Sequence, residues 1–537
     1  MSRNIILCAD GTGNKGGFTP DSNVYKTYHA IDIHHPSQTQ ISFYDNGVGT
    51  STNKFFKAIS GALGIGFQRN VRELYSFLCK NYHPDTDDKD AKSDPDKVFM
   101  FGFSRGAATI RALNGFVHDC GLIDARDFVS DKDLKKEVRC LMKIYLKARY
   151  EKDKATLAKL LEGQTFEGCR SKRNRAKIRF IGVWDTVAAL GMPKRTDDTG
   201  PISKLLNLLF NGIDSIFDYF LHHRSYNFQL TPNITRACHA MSIDDERTAF
   251  WPRIWNELSP DAAMVSVDQV WFAGMHSDVG GGYERQGMSN VSLEWILEEA
   301  EKHGLKLNNN VIDDIRSATN VHDKMHDSRD GFGMFFRYHP RDIETLCKDE
   351  YNPQEDILKE GKIKIHDSVL SRLYYRTAGY APNLLPGHFH VVNSAGKEVF
   401  EVDVRKDRDW EKNCSESQSY IYWLKELYIA LLLITLCVLG YIVYLWNCQI
   451  DYFGHSGLWG HIADILQYFL PDLFNNFIEL WVNQNPLGIL SLLVVILGWW
   501  RTREFWRDRL LNRALAKRLI IMKEYTKPQG SDDDEQA

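Results

Sequence analysis

The 537-residue chain lacks the cysteine patterns of metal-binding and disulfide-rich proteins. Its ten cysteines are scattered, none forms a Cys-x-x-Cys pair, and no Cys/His cluster has zinc-finger spacing. We therefore expect reduced thiols, and several, such as Cys8 and Cys437, lie in apolar runs where cysteine acts as a small hydrophobic residue. The sequence predicts neither a bound metal nor an organic cofactor.

The chain also lacks a strong charge of either sign. Its formal net charge at pH 7 is −4, which argues against a dedicated nucleic-acid-binding protein. The apolar run at residues 5–9 is too short for a secretory signal peptide and is typical of the first strand of a sheet. We expect the N-terminal part of the chain to stay in the compartment where it is made.

Strand-like apolar runs alternate with helical patterns over residues 1–400. This alternation is typical of an α/β domain with a doubly wound, mostly parallel sheet, whose functional loops gather at the carboxyl ends of the strands. The predicted strands are 5–9, 41–44, 98–102, 178–184 and 270–274, and the predicted helices include 66–79, 107–117 and 134–161. Two insertions are predicted at 193–232 and 305–365, and the first contains an apolar stretch, 205–221, suited to a lid or cap.

Two long uncharged runs follow this domain. Residues 427–446 carry no charge and have aromatic residues near both ends, which is typical of a transmembrane helix. The sequence predicts a linker at 401–426, spans at 427–447 and 481–500 with a connector at 448–480, and a basic helix with an acidic tail at 501–537. The alternative is a hairpin of helices buried in a soluble core.

Basic residues are distributed unevenly around these two runs. No Lys or Arg occurs from 447 to 484, whereas eight occur between Arg501 and Lys523. The positive-inside rule therefore places the N-terminal domain and the tail in the cytoplasm, with the connector outside. We expect the membrane hairpin to be the place where a second copy of the chain or a protein partner binds.

The pattern Gly102-Phe103-Ser104-Arg105-Gly106 is the strongest catalytic feature. An apolar run enters it and a helical stretch of small residues leaves it, as in a nucleophile elbow, where a tight strand-to-helix turn presents the serine hydroxyl. Glycines on both sides let the strand and the helix pass closely. The sequence identifies Ser104 as a candidate nucleophile, with a structural turn as the alternative.

A serine hydroxyl needs a base to take its proton and an acid to orient that base. Asp185 and His276 each follow a strand-like run after the elbow, so we expect both at the same sheet edge as Ser104. The alternatives are a helix-capping aspartate and a core histidine. A competing set combines Ser104 with Asp278 and His366.

Backbone N–H groups must also stabilise the oxyanion of a tetrahedral intermediate. One predicted donor is Arg105, the residue after the nucleophile, and the others are Gly11 and Thr12 in the glycine-rich loop at 10–14. The alternative for this loop is a phosphate-binding turn, although it lacks the Gly-Lys-Ser/Thr ending of a P-loop.

Four sequence motifs occur in order along the chain. They are Asp-Gly-Thr-Gly-Asn at 10–14, the serine elbow, Gly-Val-Trp-Asp-Thr-Val at 182–187, and a phrase at 271–283 that contains His-Ser-Asp and three glycines. Together, over roughly residues 3–390, they resemble the α/β-hydrolase family that includes the first class of type VI secretion lipase effectors. The resemblance implies an α/β-hydrolase fold and a serine esterase acting on phospholipid acyl esters, and it favours Asp185 as the acid and His276 as the base.

These observations predict a membrane-anchored serine phospholipase that works through an acyl-enzyme intermediate. We expect two passes through a bacterial inner membrane, a cytoplasmic catalytic domain and membrane phospholipid as the substrate. Its biological role is either that of an antibacterial effector or that of a resident membrane-damaging defence enzyme. A non-catalytic, hydrolase-like scaffold or sensor at the membrane is the alternative function.

Overall fold

The computed structural model describes residues 2–14, 16–17, 20–47, 66–84, 95–166, 169, 173–187, 226–330, 333, 336–349, 352–448 and 457–526. The predicted apolar stretch at 205–221, with most of the insertion at 193–232, lies outside the described residues.

Nine strands form a single sheet in the order β11-β10-β9-β8-β7-β6-β3-β1-β2. All neighbours in this sheet are parallel except the β10–β11 hairpin. The strands are β1 Asn4–Ala9, β2 Gln40–Asp45, β3 Lys97–Phe103, β6 Ile178–Trp184, β7 Ile234–Ser242, β8 Ser266–Phe272, β9 Lys364–His366, β10 His388–Val392 and β11 Glu398–Asp403, while β4 Leu122–Ile123 and β5 Arg173–Asn174 form a separate pair. The α/β class with a mostly parallel sheet is confirmed.

Helices cover both faces of this sheet. Side chains of β1 alternate between two apolar clusters: Ile5 and Leu7 pack with the second, third and fourth helices, whereas Ile6 and Cys8 pack with the first, seventh and eighth. Both faces are therefore buried, as expected for parallel strands. The helices are α1 Asn23–Ala30, α2 Phe67–Asn81, α3 Arg105–Cys120, α4 Asp131–Tyr150, α5 Lys154–Leu161, α6 His276–Gly280, α7 Gly287–Lys302, α8 Asn309–Ala318, α9 Ile343–Leu346, α10 Asp367–Tyr374, α11 Arg408–Trp446, α12 Gly457–Phe469, α13 Asn475–Ile478 and α14 Pro486–Tyr525.

Two local differences from the predicted elements have clear physical reasons. The helix predicted over 134–161 is divided in two, because Lys152 takes a left-handed conformation (φ 54°) and the Asp153 side chain then caps α5 by accepting from Thr156 N–H. Strand β8 ends at Phe272 rather than at residue 274. His276 is the first residue of the short helix α6.

The segment expected as a linker, 401–426, is regular structure. Strand β11 continues to Asp403, and Asp407 caps α11, which begins only one residue later. By length and composition, helices α11 and α14 are long and apolar enough to cross a membrane. Their polar ends pack on the domain, where Trp410 and Ile521 join the same buried cluster. The helix pair is therefore continuous with the α/β domain.

Candidate active site

Ser104 lies on the turn between β3 and α3, at the carboxyl edge of the sheet. Its backbone angles (φ 57°, ψ −121°) are costly for a side chain other than glycine. A Cβ on Gly102 would lie 2.7 Å from Ala107 Cα, and one on Gly106 would lie 2.0 Å from the Ala9 carbonyl oxygen. Both glycines are therefore needed for α3 to cross the strands this closely, as a nucleophile elbow requires.

Asp185 and His276 meet directly. Asp185 follows the last residue of β6, and its Oδ2 lies 2.5 Å from His276 Nδ1, with both side chains buried. The His276 ring packs against Phe103 and Phe250, with ring centroids 4.7 and 5.0 Å away. Because Phe103 immediately precedes Ser104, the imidazole lies beside the elbow with Nδ1 already engaged by the carboxylate.

The Asp185 carboxylate is held from its other side by a second, wholly buried charge. Arg341 forms a bidentate ion pair with it, with Nη1 2.6 Å from Oδ1 and Nη2 2.8 Å from Oδ2. Ser242 N–H donates to Oδ1 at 3.0 Å. Burial by itself would raise the pKa of Asp185, but Arg341 and His276 hold it well below its ordinary value. The carboxylate is therefore ionised across the physiological pH range.

The protonation of His276 is set by opposing effects. Burial lowers its pKa below the ordinary value of 6.5, although Asp185 acts in the opposite direction. Asp245 accepts a hydrogen bond from the backbone N–H of His276 at 3.3 Å and forms an ion pair with Arg247. His276 is therefore neutral near pH 7 and able to accept a proton.

The two residues of the competing set are engaged elsewhere. Asp278 pairs with His326, with Oδ1 2.6 Å from Nδ1, a histidine that the sequence did not single out. His366 Nδ1 accepts from Ser368 N–H at 3.2 Å and so caps α10. Burial lowers the pKa of His366 to about 3, and its ring stacks on Phe272. Among the described residues, no hydrogen bond or ion pair joins Asp278 to His366.

The glycine-rich loop differs in part from the prediction. Gly11 N–H donates to Asp10 Oδ1 at 2.6 Å, so this group is directed to the carboxylate rather than to Ser104. The Asp10 side chain also accepts from Asn14, Ser22 and Tyr44, and so organises the loop. The loop does reach the elbow, since a Cβ on Gly11 would lie 2.9 Å from the Phe103 ring.

The two remaining predicted donors are Arg105 and Thr12. Arg105 N–H belongs to the first residue of α3, a helix whose N-terminus has no side-chain cap, so this N–H group points out of the helix start. The Thr12 hydroxyl is buried without a hydrogen-bond partner among the described residues. Arg105 N–H is thus a backbone donor in the residue directly after Ser104.

In the described part of the chain, one group combines side chains that bind metals. His388 and His390 on β10 and Glu401 on β11 bring their ligand atoms within 4.8 Å of one another. His388 Nε2 already lies 2.7 Å from Glu401 Oε1, and the Lys362 ammonium beside them pairs with Glu398. The His388–Glu401 hydrogen bond and the neighbouring Lys362–Glu398 ion pair account for this group.

Ser104, Asp185 and His276 all lie within the region shared with known proteins. The family described as "T6SS, Phospholipase effector Tle1-like, catalytic domain" matches residues 3–299, more than half of the chain. The chain belongs to this family of type VI secretion phospholipase effector catalytic domains. Arg341 lies beyond the matched residues.

Individual relatives are distant. An uncharacterized protein of Saccharomyces cerevisiae, YEL023C, is 22% identical over 425 residues, which covers 58% of this chain and 59% of the relative. The crystal structure of an uncharacterized Pseudomonas aeruginosa protein (16% identity, TM-score 0.33) covers 62% of this chain and 50% of that one. A Tle1 effector bound to the VgrG spike of the type 6 secretion system (17% identity, TM-score 0.26) covers 53% and 52%. The chain thus spans only part of each relative.

Arg341 gives a stability prediction. Arg341→Met leaves the Asp185 carboxylate buried without its charge partner, and we expect it to destabilise the domain by about 3–5 kcal/mol. The matched control is Arg405→Met, which removes an equally two-pronged but exposed pair with Asp403 and is expected to cost at most about 1 kcal/mol. Denaturant unfolding of the full chain in detergent, followed by tryptophan fluorescence, compares them. Equal losses for the two variants would contradict this reading of the site.

Proposed function

We propose that this protein is a serine phospholipase of the α/β-hydrolase type that cleaves phospholipid acyl esters through an acyl-enzyme intermediate. The observation that carries the proposal is the buried Asp185–His276 pair beside the strained turn at Ser104. Membership of the Tle1-like phospholipase family supports a lipid ester as the substrate.

In the proposed reaction, the Ser104 hydroxyl oxygen attacks the ester carbonyl while His276 Nε2 takes the hydroxyl proton. Asp185 stabilises the imidazolium, and Arg105 N–H donates to the developing oxyanion. The tetrahedral intermediate collapses by releasing the lysophospholipid alcohol, which receives the proton from His276. Water, activated by His276, then attacks the acyl-serine and releases the fatty acid.

Membrane anchoring is part of the same proposal. Helices α11 and α14 are the proposed spans, and the basic residues after Arg501 favour a cytoplasmic catalytic domain at a bacterial inner membrane. Anchoring raises the effective concentration of lipid esters at the site. Two membrane spans favour an enzyme resident in its own membrane over an exported effector. The helix pair is the proposed surface for binding a second copy of the chain or a protein partner.

The first test is covalent labelling of the nucleophile. A fluorophosphonate probe should label the full chain, and peptide mass spectrometry should place the adduct on Ser104. Ser104→Ala should abolish labelling and release of fatty acid from phospholipid vesicles, because it removes the proposed nucleophile. Labelling of Ser104→Ala at wild-type level would exclude Ser104 as the nucleophile, and no labelling of the wild type would support the scaffold alternative.

The two histidines can be separated by substitution. His276→Ala should lower kcat for a soluble ester by about 10³-fold or more, since it removes the proposed base. His366→Asn keeps a side-chain acceptor at the start of α10 and should leave kcat within a few-fold of wild type. Circular dichroism checks that both variants are folded. A loss confined to His366→Asn would transfer the role of base to the competing set.

The pH dependence follows from the pKa direction of His276. The neutral imidazole is the active form, so kcat/KM should fall as the pH drops through the folded-state pKa of His276. Because burial lowers that pKa, the midpoint of the acid limb should lie below 6.5. The rate profile for a soluble ester between pH 4 and 9 measures it, with fluorescence as a check on unfolding. A midpoint above 7 is the contrary result.

A further inference from the structure

A cavity of about 520 Å³ lies between the α/β domain and the helix pair α11/α14. We propose that it binds the headgroup of a zwitterionic phospholipid from the adjoining leaflet, at a site separate from Ser104, and that this lipid supports the catalytic arrangement. The inference rests on the membrane anchoring proposed above. It adds a second lipid site, because neither Ser104 nor His276 lines the cavity.

The position of the cavity points to the membrane surface. Leu427 and Leu431 of α11 and Trp499 of α14 line one side, and all three belong to the uncharged runs. Trp499 Nε1–H donates to the Leu427 carbonyl at 2.7 Å, which joins the two helices at this level. Tryptophan is enriched where membrane spans meet water. A lipid in the leaflet could therefore place its headgroup in the cavity and leave its chains along the helices.

The cations of the cavity suit a phosphodiester. Arg503 and Arg507 are one turn apart on α14, and Arg329 lines the cavity from the domain side. Arg507 lies 3.8 Å from Asp327 and 3.9 Å from Glu504, which are the distances of loose ion pairs rather than hydrogen bonds. Arginine guanidinium groups bind phosphate oxygens with paired N–H donors, so these residues are suited to the anionic half of a headgroup.

The carboxylates make a purely anionic headgroup unfavourable. Six carboxylates line the cavity against four guanidinium groups, and Glu246 is one of the carboxylates that interact with Arg329. Burial and the neighbouring Asp327 carboxylate raise the pKa of Glu246 to about 7. An ammonium group would offset both effects. The mixed lining therefore fits an ammonium and a phosphate together, as in phosphatidylethanolamine.

The cavity also adjoins the groups that position the catalytic pair. Arg341 and Asp245 both line the cavity. Arg341 binds the Asp185 carboxylate, and Asp245 accepts a hydrogen bond from the backbone N–H of His276. A bound headgroup would hold the walls that carry Arg341 in place. We therefore expect occupancy to raise the turnover of a soluble ester even though that ester never enters the cavity.

The binding test uses the full-length Ser104→Ala variant and an ether-linked phosphatidylethanolamine, which has no acyl ester to cleave. Native mass spectrometry from detergent should show this lipid retained at least five-fold more than ether-linked phosphatidylglycerol. Arg503→Gln/Arg507→Gln should lose the retention, whereas Arg501→Gln/Arg509→Gln, on the same helix but outside the cavity lining, should keep it. Glycerophosphoethanolamine, which carries the headgroup without chains, should not compete at equal concentration.

The activity arm uses p-nitrophenyl butyrate and the wild-type chain in nanodiscs of the same two ether lipids. Turnover should be at least three-fold faster with phosphatidylethanolamine, and Arg503→Gln/Arg507→Gln should bring it down to the phosphatidylglycerol rate. The double variant Glu504→Gln/Asp508→Asn removes two carboxylates from the cavity lining. It should reduce the ratio of the turnover measured with phosphatidylethanolamine to that measured with phosphatidylglycerol. Equal retention of both lipids, or retention unchanged by Arg503→Gln/Arg507→Gln, would overturn the inference. Failure of the proposed function would show instead as absent fluorophosphonate labelling with lipid retention intact.

Discussion

The site depends on one buried interaction, the bidentate ion pair between Arg341 and Asp185. A carboxylate with no exposed surface is costly unless charge and hydrogen bonds compensate it, and Arg341 supplies both. The ionised carboxylate then fixes the orientation and tautomer of His276. The same contact ties the segment after α8 to the carboxyl edge of the sheet. A residue that is distant in sequence therefore holds the Asp185–His276 pair in place.

A second constraint is the strain shared by two adjacent turns. Ser104 and Asp185 both have positive φ values, 57° and 39°, directly after the neighbouring strands β3 and β6. Ser104 N–H donates to the Trp184 carbonyl, and Val187 N–H donates to the Ser104 carbonyl, so the turns are bonded to each other. Strained backbone persists only where its surroundings determine it, and here the close crossing of α3 provides that support.

The sequence predicted those features that are set by local pattern. Apolar runs located five strands within a few residues, and the glycines around Ser104 indicated the elbow. Strand β7 was missed because Arg236 and His239 interrupt its apolar pattern; Arg236 pairs with Asp268 and Glu299, and His239 contacts Gln269 on β8. Long-range partners left no local signal. Arg341 is 156 residues from Asp185, and the engagement of Gly11 N–H by Asp10 depends on how the loop folds.

We propose that the Ser104 turn and the Asp185–His276 pair act together on membrane phospholipid esters. Lipid analysis of bacterial membranes after brief expression of the wild type beside Ser104→Ala tests it most directly. Lysophospholipid and free fatty acid should accumulate in equal amounts with the wild type and stay at background with Ser104→Ala. Identical lipid profiles for the two proteins at matched membrane levels would contradict it.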